Sequence, residues 1–207
     1  RVLFRSCDTS MLRVALLAVC VALVAAGDPP IPRLSDTFSV MFAYDYLPVP
    51  EKIEPYDWLY YSWPDRAQRI EYAAGNSHCI KFYNTSNPCT LIFAGNGELW
   101  VDKPVEVECC YVMDLGTIKP DFLRETDFKY LNRTEWFGYM ADGFYEDDAD
   151  GARKVFYRQV DKPNSLVWWS NGDNKRQFYF DPSTYSEDKL PASLFELPDY
   201  CTRECPY

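Results

Sequence analysis

"FSVMFAYDY", Phe38–Tyr46, alternates so strictly that Phe38, Val40, Phe42, Tyr44 and Tyr46 fall on one side of an extended chain. Period-two patterning marks a strand, because successive side chains point to opposite faces. The same texture recurs downstream. "DWLYYSW" (57–63) stops at Pro64-Asp65, a turn signal, and "RAQRIEYAAG" (66–75) ends at Gly75-Asn76. "HCIKFY" (78–83), "TLIFAG" (90–95) and "ELWVDK" (98–103) read as short strands, with Gly95-Asn96-Gly97 a tight hairpin between the last two. "VEVECCYVM" (105–113), Val-rich and flanked by polar residues, reads as the central strand. "KPDFLRETDFKYL" (119–131) is the one stretch that reads as a short helix, with Pro120 near its start and acids in its first turn. Then come "EWFGYMADGFY", "ARKVFYRQV", and "SLVWWS" joined by Asn171-Gly172 to "RQFYFD". Aromatic residues are abundant (6 Trp, 16 Tyr, 13 Phe), as β structure favours. No repeat or linker interrupts the series, so the expectation is one mainly β, antiparallel domain.

The front of the chain is of another kind. Residues 1–10, "RVLFRSCDTS", precede Met11 and read as a non-native leader; Arg-Val-Leu-Phe-Arg-Ser is compatible with translated adapter sequence. Residues 11–27 read as a signal peptide: Arg13, the apolar run "VALLAVCVALV" and the small-residue exit "VAAG". The run is too short and wrongly flanked for a spanning helix. Residues 28–207 are then the mature domain, secreted and not membrane-spanning.

Export sorts the cysteines. Cys7 and Cys20 lie in the discarded front, leaving Cys79, Cys89, Cys109, Cys110, Cys201 and Cys205. An even count in an exported chain reads as three disulfides. Cys109 and Cys110 are neighbours on a strand, face opposite ways and take different partners. One scheme closes Cys79–Cys89 locally and ties the tail to Cys109 and Cys110; the rival closes a small Cys201–Cys205 loop. Asn84-Thr85-Ser86 and Asn132-Arg133-Thr134 are sequons, which makes Asn84 and Asn132 candidate glycosylation sites.

Asp and Glu number 31 against 21 Lys and Arg, a net charge of −10. This excess argues against nucleic acid or an anionic membrane surface as partner. In "YEDDADGARK", Glu146, Asp147, Asp148 and Asp150 before Gly151 suggest the opening of a calcium loop. The twelfth position is Tyr157, where an EF-hand needs a bidentate acid, so an EF-hand is excluded. What remains is a hairpin turn at Asp150-Gly151, with calcium as the one conceivable cofactor at Asp147, Asp148 and Asp150. Catalysis finds no footing. His78 is the single histidine, it adjoins Cys79, and no phosphate loop, nucleophile elbow or zinc-protease motif occurs. An enzyme is not expected.

The tail "SLFELPDYC" holds Phe195-x-x-Pro198-x-x-Cys201, which resembles the closing motif of the ependymin family of secreted glycoproteins. "PPIPRLSDTFSV", "RAQRIEYAAG" and "FYFDPSTY" are similar to related domains that precede papain-like proteases in some protists. The chain departs from the family pattern after Trp168-Trp169, where "SNGDNK" stands instead of an expected cysteine. The resemblance implies a single curved antiparallel sheet, a half-barrel like that of bacterial lipoprotein carriers, with one or two short helices. It also implies a hydrophobic concave face, influence by calcium, and a homodimer. Trp168 and Trp169 must face opposite sides of their strand, so one ring needs a second apolar environment. The leading expectation is therefore an extracellular protein binding a lipid or other hydrophobic small molecule, with Trp58, Trp100, Trp136 and Trp168 lining the pocket. The alternative is a matrix or cell-surface adhesion glycoprotein acting through calcium-influenced protein contacts.

Overall fold

A computed structural model describes residues 27–45, 57–172 and 177–203. The chain divides into two units, 1–30 and 31–207, and the fold below is that of the second. Residues 1–26, which hold the expected leader and nearly all of the expected signal peptide, lie outside the described residues, as do Tyr46, residues 173–176 and Cys205.

Hairpin turns dictate the first half of the molecule. β1 (Thr37–Asp45), β2 (Asp57–Ser62), β3 (Ala67–Tyr72), β4 (Cys89–Phe93), β5 (Glu98–Lys103) and β6 (Glu108–Asp114) form one antiparallel meander. β7 (Lys129–Trp136), β8 (Tyr139–Asp147), β9 (Arg153–Gln159), β10 (Leu166–Gly172) and β11 (Gln177–Phe180) form a second. β11 returns to pair with β1, placing Phe180 opposite Phe42 and Phe178 opposite Tyr44. β12 (Cys201–Thr202) adds in parallel to the outer edge of β6. The result is one open, curved, twelve-stranded sheet in the order β12-β6-β5-β4-β3-β2-β1-β11-β10-β9-β8-β7.

The alternation in β1 sets the two faces. Phe38, Val40 and Phe42 enter the main core with Tyr61, Leu91, Phe93, Leu99, Val101, Phe144 and Phe156, on what is called here the inner face. Ala43, Tyr157, Trp168 and Tyr179 form a second cluster on the outer face, and Ile92 and Trp100 a third.

β6 and β7 stand at opposite ends of the sheet, so residues 115–128 must cross it, and they do so over the inner face. Leu115 and Gly116 donate to Gly97 O at 2.9 Å, and Thr117 Oγ1 donates to Arg66 O at 2.5 Å. Tyr61 Oη donates to Ile118 O at 2.7 Å, and Leu34 N to Pro120 O at 3.0 Å. The strap then passes through α2 (Phe122–Glu125), whose Leu123 is fully buried, and Phe128 packs edge-on against Phe156 at 4.8 Å.

Several sequence expectations are corrected. "HCIKFY" is not a strand but α1 (Ser77–Tyr83). Asn76 caps it by accepting from His78 N, and Asn84 ends it in the left-handed region at φ 50°. Local capping chemistry outweighs an alternation too short to choose between periods. "VEVECCYVM" is not central: Val105 and Val107 lie exposed in the turn before β6, which has only β12 beyond it. The expected helix over 119–131 shrinks to one turn, because Lys129 already begins β7. Asn171 and Gly172, expected as a turn, are still within β10.

Both disulfides seen were anticipated. Cys79–Cys89 ties α1 to β4, and Cys109–Cys201 ties the tail to β6, which rules out the Cys201–Cys205 loop. The second bond spans 92 residues. Removing it with Cys109→Ser and Cys201→Ser is expected to cost about 2–4 kcal/mol in urea unfolding; a change under about 1 kcal/mol would show the tail to be held without it.

Asp57, 1% exposed, accepts from Ala73 N at 2.8 Å and Asn76 Nδ2 at 2.7 Å and so fixes the approach to α1. Burial outweighs these bonds and pushes its carboxyl from 3.8 up to about 7. A raised carboxyl contributes stability that is complete below its unfolded value and is lost as pH climbs through its folded one. The stability of Asp57→Asn relative to wild type is accordingly expected to improve between pH 5 and 8; an unchanged difference would mean that Asp57 ionises normally.

Candidate ligand-binding site

Strap and sheet do not close completely on each other. Between them lies a cavity of about 280 Å³. Its floor is the inner face: Phe38 and Phe42 from β1, Leu59 and Tyr61 from β2, Gln68 and Ile70 from β3. Leu166, Trp169 and Asn171 from β10 and Phe178 and Phe180 from β11 continue it, and Leu34, Ile118 and Phe122 make the roof. Gln68 and Asn171 alone bring amides to a wall that is otherwise aliphatic or aromatic.

Each floor residue is there because strand neighbours in register share a face. Phe38 opposes Tyr61, which opposes Gln68; further along, Leu59 opposes Ile70. Trp169 opposes Phe178 on one side and Phe156 on the other, stacking on Phe156 at 5.9 Å and meeting Phe122 of the roof at 5.7 Å. Burial pushes the Tyr61 hydroxyl well above the usual phenol range, so it remains a donor to Ile118 O and holds the roof in place.

The four tryptophans expected at the pocket are elsewhere. Trp58 stacks on Tyr60 at 5.6 Å, on the face opposite Leu59 and Tyr61. Trp100 lies in the outer cluster with Ile92 and Cys109, covered by Leu197 and Cys201 of the tail. Trp136 and Trp168 stack on each other at 5.3 Å and 13°, again on the outer face. A shift in pairing between Leu166 and Trp168 lets Val167 and Trp168 enter the same cluster and turns Trp169 inward. The two adjacent rings do face opposite ways, but the one at the cavity is Trp169.

A search of family models found no match, and no curated protein matched either. Among solved structures, an uncharacterized conserved protein from Thermus thermophilus superposes with a TM-score of 0.55 at 12% identity, over 83% of this chain and 92% of that one. A putative outer membrane lipoprotein-sorting protein domain from Vibrio parahaemolyticus gives 0.34 at 9% identity, over 89% and 95%. The Pseudomonas aeruginosa MucA/MucB complex gives 0.35 at 11% identity, over 81% of this chain and 58% of that one. The likeness to the Thermus protein is one of fold.

The remaining sequence candidates are dispersed. Asp147 pairs with Arg153 at 2.6 and 3.0 Å, while Asp148 Oδ1 accepts from the amides of Asp150 and Ala152, closing the β8–β9 hairpin. Among the described residues no group of three His, Cys, Asp or Glu stands where it could hold a metal, nor is any helix long and apolar enough to cross a membrane. Asn84 is exposed at the end of α1, and exposed Asn132 accepts from Tyr157 Oη at 3.1 Å. Gly143 permits that contact, since a Cβ there would stand 2.5 Å from the Tyr157 ring.

Alternation alone could have found the cavity wall, given Phe38 as an inner residue; the pairing of distant strands, which places Leu166 and Gln68 around one space, could not be read from it. Trp100, Trp136 and Trp168 pack into the apolar clusters of the outer face. Trp168→Ala is expected to cost about 3–5 kcal/mol by chemical denaturation, and a loss below about 1 kcal/mol would mean that its ring is not part of a packed cluster.

Proposed function

We propose that this protein is a secreted carrier that binds one hydrophobic small molecule beneath the strap. The observation that carries the reading is the cavity: about 280 Å³ bounded almost wholly by apolar side chains. Filling it with water would leave those side chains wet, whereas an apolar ligand removes them from water at about 25 cal/mol per Å². The disulfides Cys79–Cys89 and Cys109–Cys201 support an oxidising compartment, in keeping with the signal peptide read in residues 11–27. A tail stapled over Trp100 fits a domain of ependymin type, the family its closing motif resembles. The fold shared with the Thermus protein is compatible with such a carrier and names no ligand.

Native mass spectrometry of protein secreted by a eukaryotic host, followed by denaturation and organic extraction, tests the reading. A bound mass released on unfolding and soluble in the organic phase is the expected result. Leu59→Trp, which places an indole into the cavity, is expected to abolish that mass and the uptake of a fluorescent alkyl probe while leaving the circular dichroism unchanged. Wild-type protein that carries no extra mass and takes up no probe would overturn the proposal.

A further inference from the structure

One strand beyond the cavity wall, the inner face carries a cation that the fold satisfies only in part. Arg158 on β9 is the register partner of Leu166, which lines the cavity, so the two side chains stand side by side on one face. Its side chain is 8% exposed. Its guanidinium has no hydrogen bond among the described residues. The nearest carboxylate oxygen, Asp142 Oδ2, is 3.6 Å from Nη2, and Nε is buried without a partner. Asp142, itself 2% exposed, is already gripped by Arg133, with Nε to Oδ1 at 2.8 Å and Nη2 to Oδ2 at 3.2 Å. Phe144 lies against the other side of Arg158, its ring centroid 5.5 Å from Cζ. Two guanidinium groups thus share one carboxylate, Arg133 at hydrogen-bond distance and Arg158 at ion-pair distance, which leaves one positive charge over.

A buried guanidinium whose Nε has no partner, and whose nearest carboxylate is already bonded to a second arginine, is costly, and buried polar groups almost always find partners. A flat, forked donor set of this kind matches an oxyanion. Building on the carrier reading above, we propose that Arg158 receives the anionic head of the bound molecule, a carboxylate or phosphate, while its single hydrocarbon chain runs past Leu166 into the cavity. Volume limits the tail to one chain. A liquid water occupies about 30 Å³ and a methylene is of similar bulk, so about 280 Å³ takes about nine methylenes, a single chain of medium length. The net charge of −10 does not oppose the assignment at contact range, since exposed charges are screened beyond about 8 Å at physiological ionic strength.

The test titrates the delipidated full chain with decanoate, monodecyl phosphate and decanol, whose chains match the cavity, read by displacement of a fluorescent alkyl probe. At least one of the two anions is expected to bind at least about tenfold tighter than the alcohol, and whichever binds tighter identifies the head group. Arg158→Met is expected to erase that advantage and leave decanol within about twofold, while Arg158→Lys retains part of it. Wild-type protein that binds alcohol and anions equally would overturn the head-group assignment and leave the carrier reading standing. If none of the three binds, both fall. The wild-type comparison decides even if the Arg158 variants fail to fold.

Discussion

The connection from β6 to β7 imposes the shape of the whole molecule. These strands are ten inter-strand steps apart, a distance of about 48 Å across a flat sheet. The fourteen residues 115–128, four of them helical, reach about 40 Å at most. A flat sheet is therefore incompatible with its own covalent link, and curvature is what lets the strap arrive. Once it has arrived, a roof and a floor exist, and a space between them follows. Tyr61, Arg66 and Leu34 provide the partners that hold the roof down along the way.

The two faces of the sheet then have different fates. The inner face keeps part of its apolar surface under a roof that does not fully settle on it. The outer face is closed by the protein itself. The tail, pinned through Cys201, lies over Trp100, and the tip of the β7–β8 hairpin brings Trp136 and Phe137 onto Trp168 and Tyr179. Tryptophan content alone therefore misdirects a search for a pocket, because large rings serve wherever a face must be sealed without a covering layer.

Much of the fold was legible in the residues. β1 could be read from period-two alternation, the β4–β5 turn from Gly95-Asn96-Gly97, and the opposed facing of Cys109 and Cys110 from their adjacency. What could not be read is whatever depends on long-range pairing. Asn76 and Asn84 on either side of "HCIKFY" carry a local capping signal, but nothing local says that Cys79 will be joined to β4, and nothing in "VEVECCYVM" says that its strand lies near an edge. The site divides in the same way. That one of Trp168 and Trp169 must turn inward follows from strand geometry, but which one is decided by a single shift in pairing between Leu166 and Trp168. Arg158 gave no signal at all, because its competition with Arg133 for one carboxylate arises only when Arg133 and Asp142 meet across a hairpin.

The Cys109–Cys201 bond has a topological consequence. It joins the last strand of the first meander to the segment that follows the second, so strap and second meander together form a closed covalent ring. A protease cutting the strap, whose exposed Leu115 and Ile118 are its most accessible apolar residues, would open the roof without releasing either half. The cleaved molecule would migrate as one species until reduced and as two afterwards.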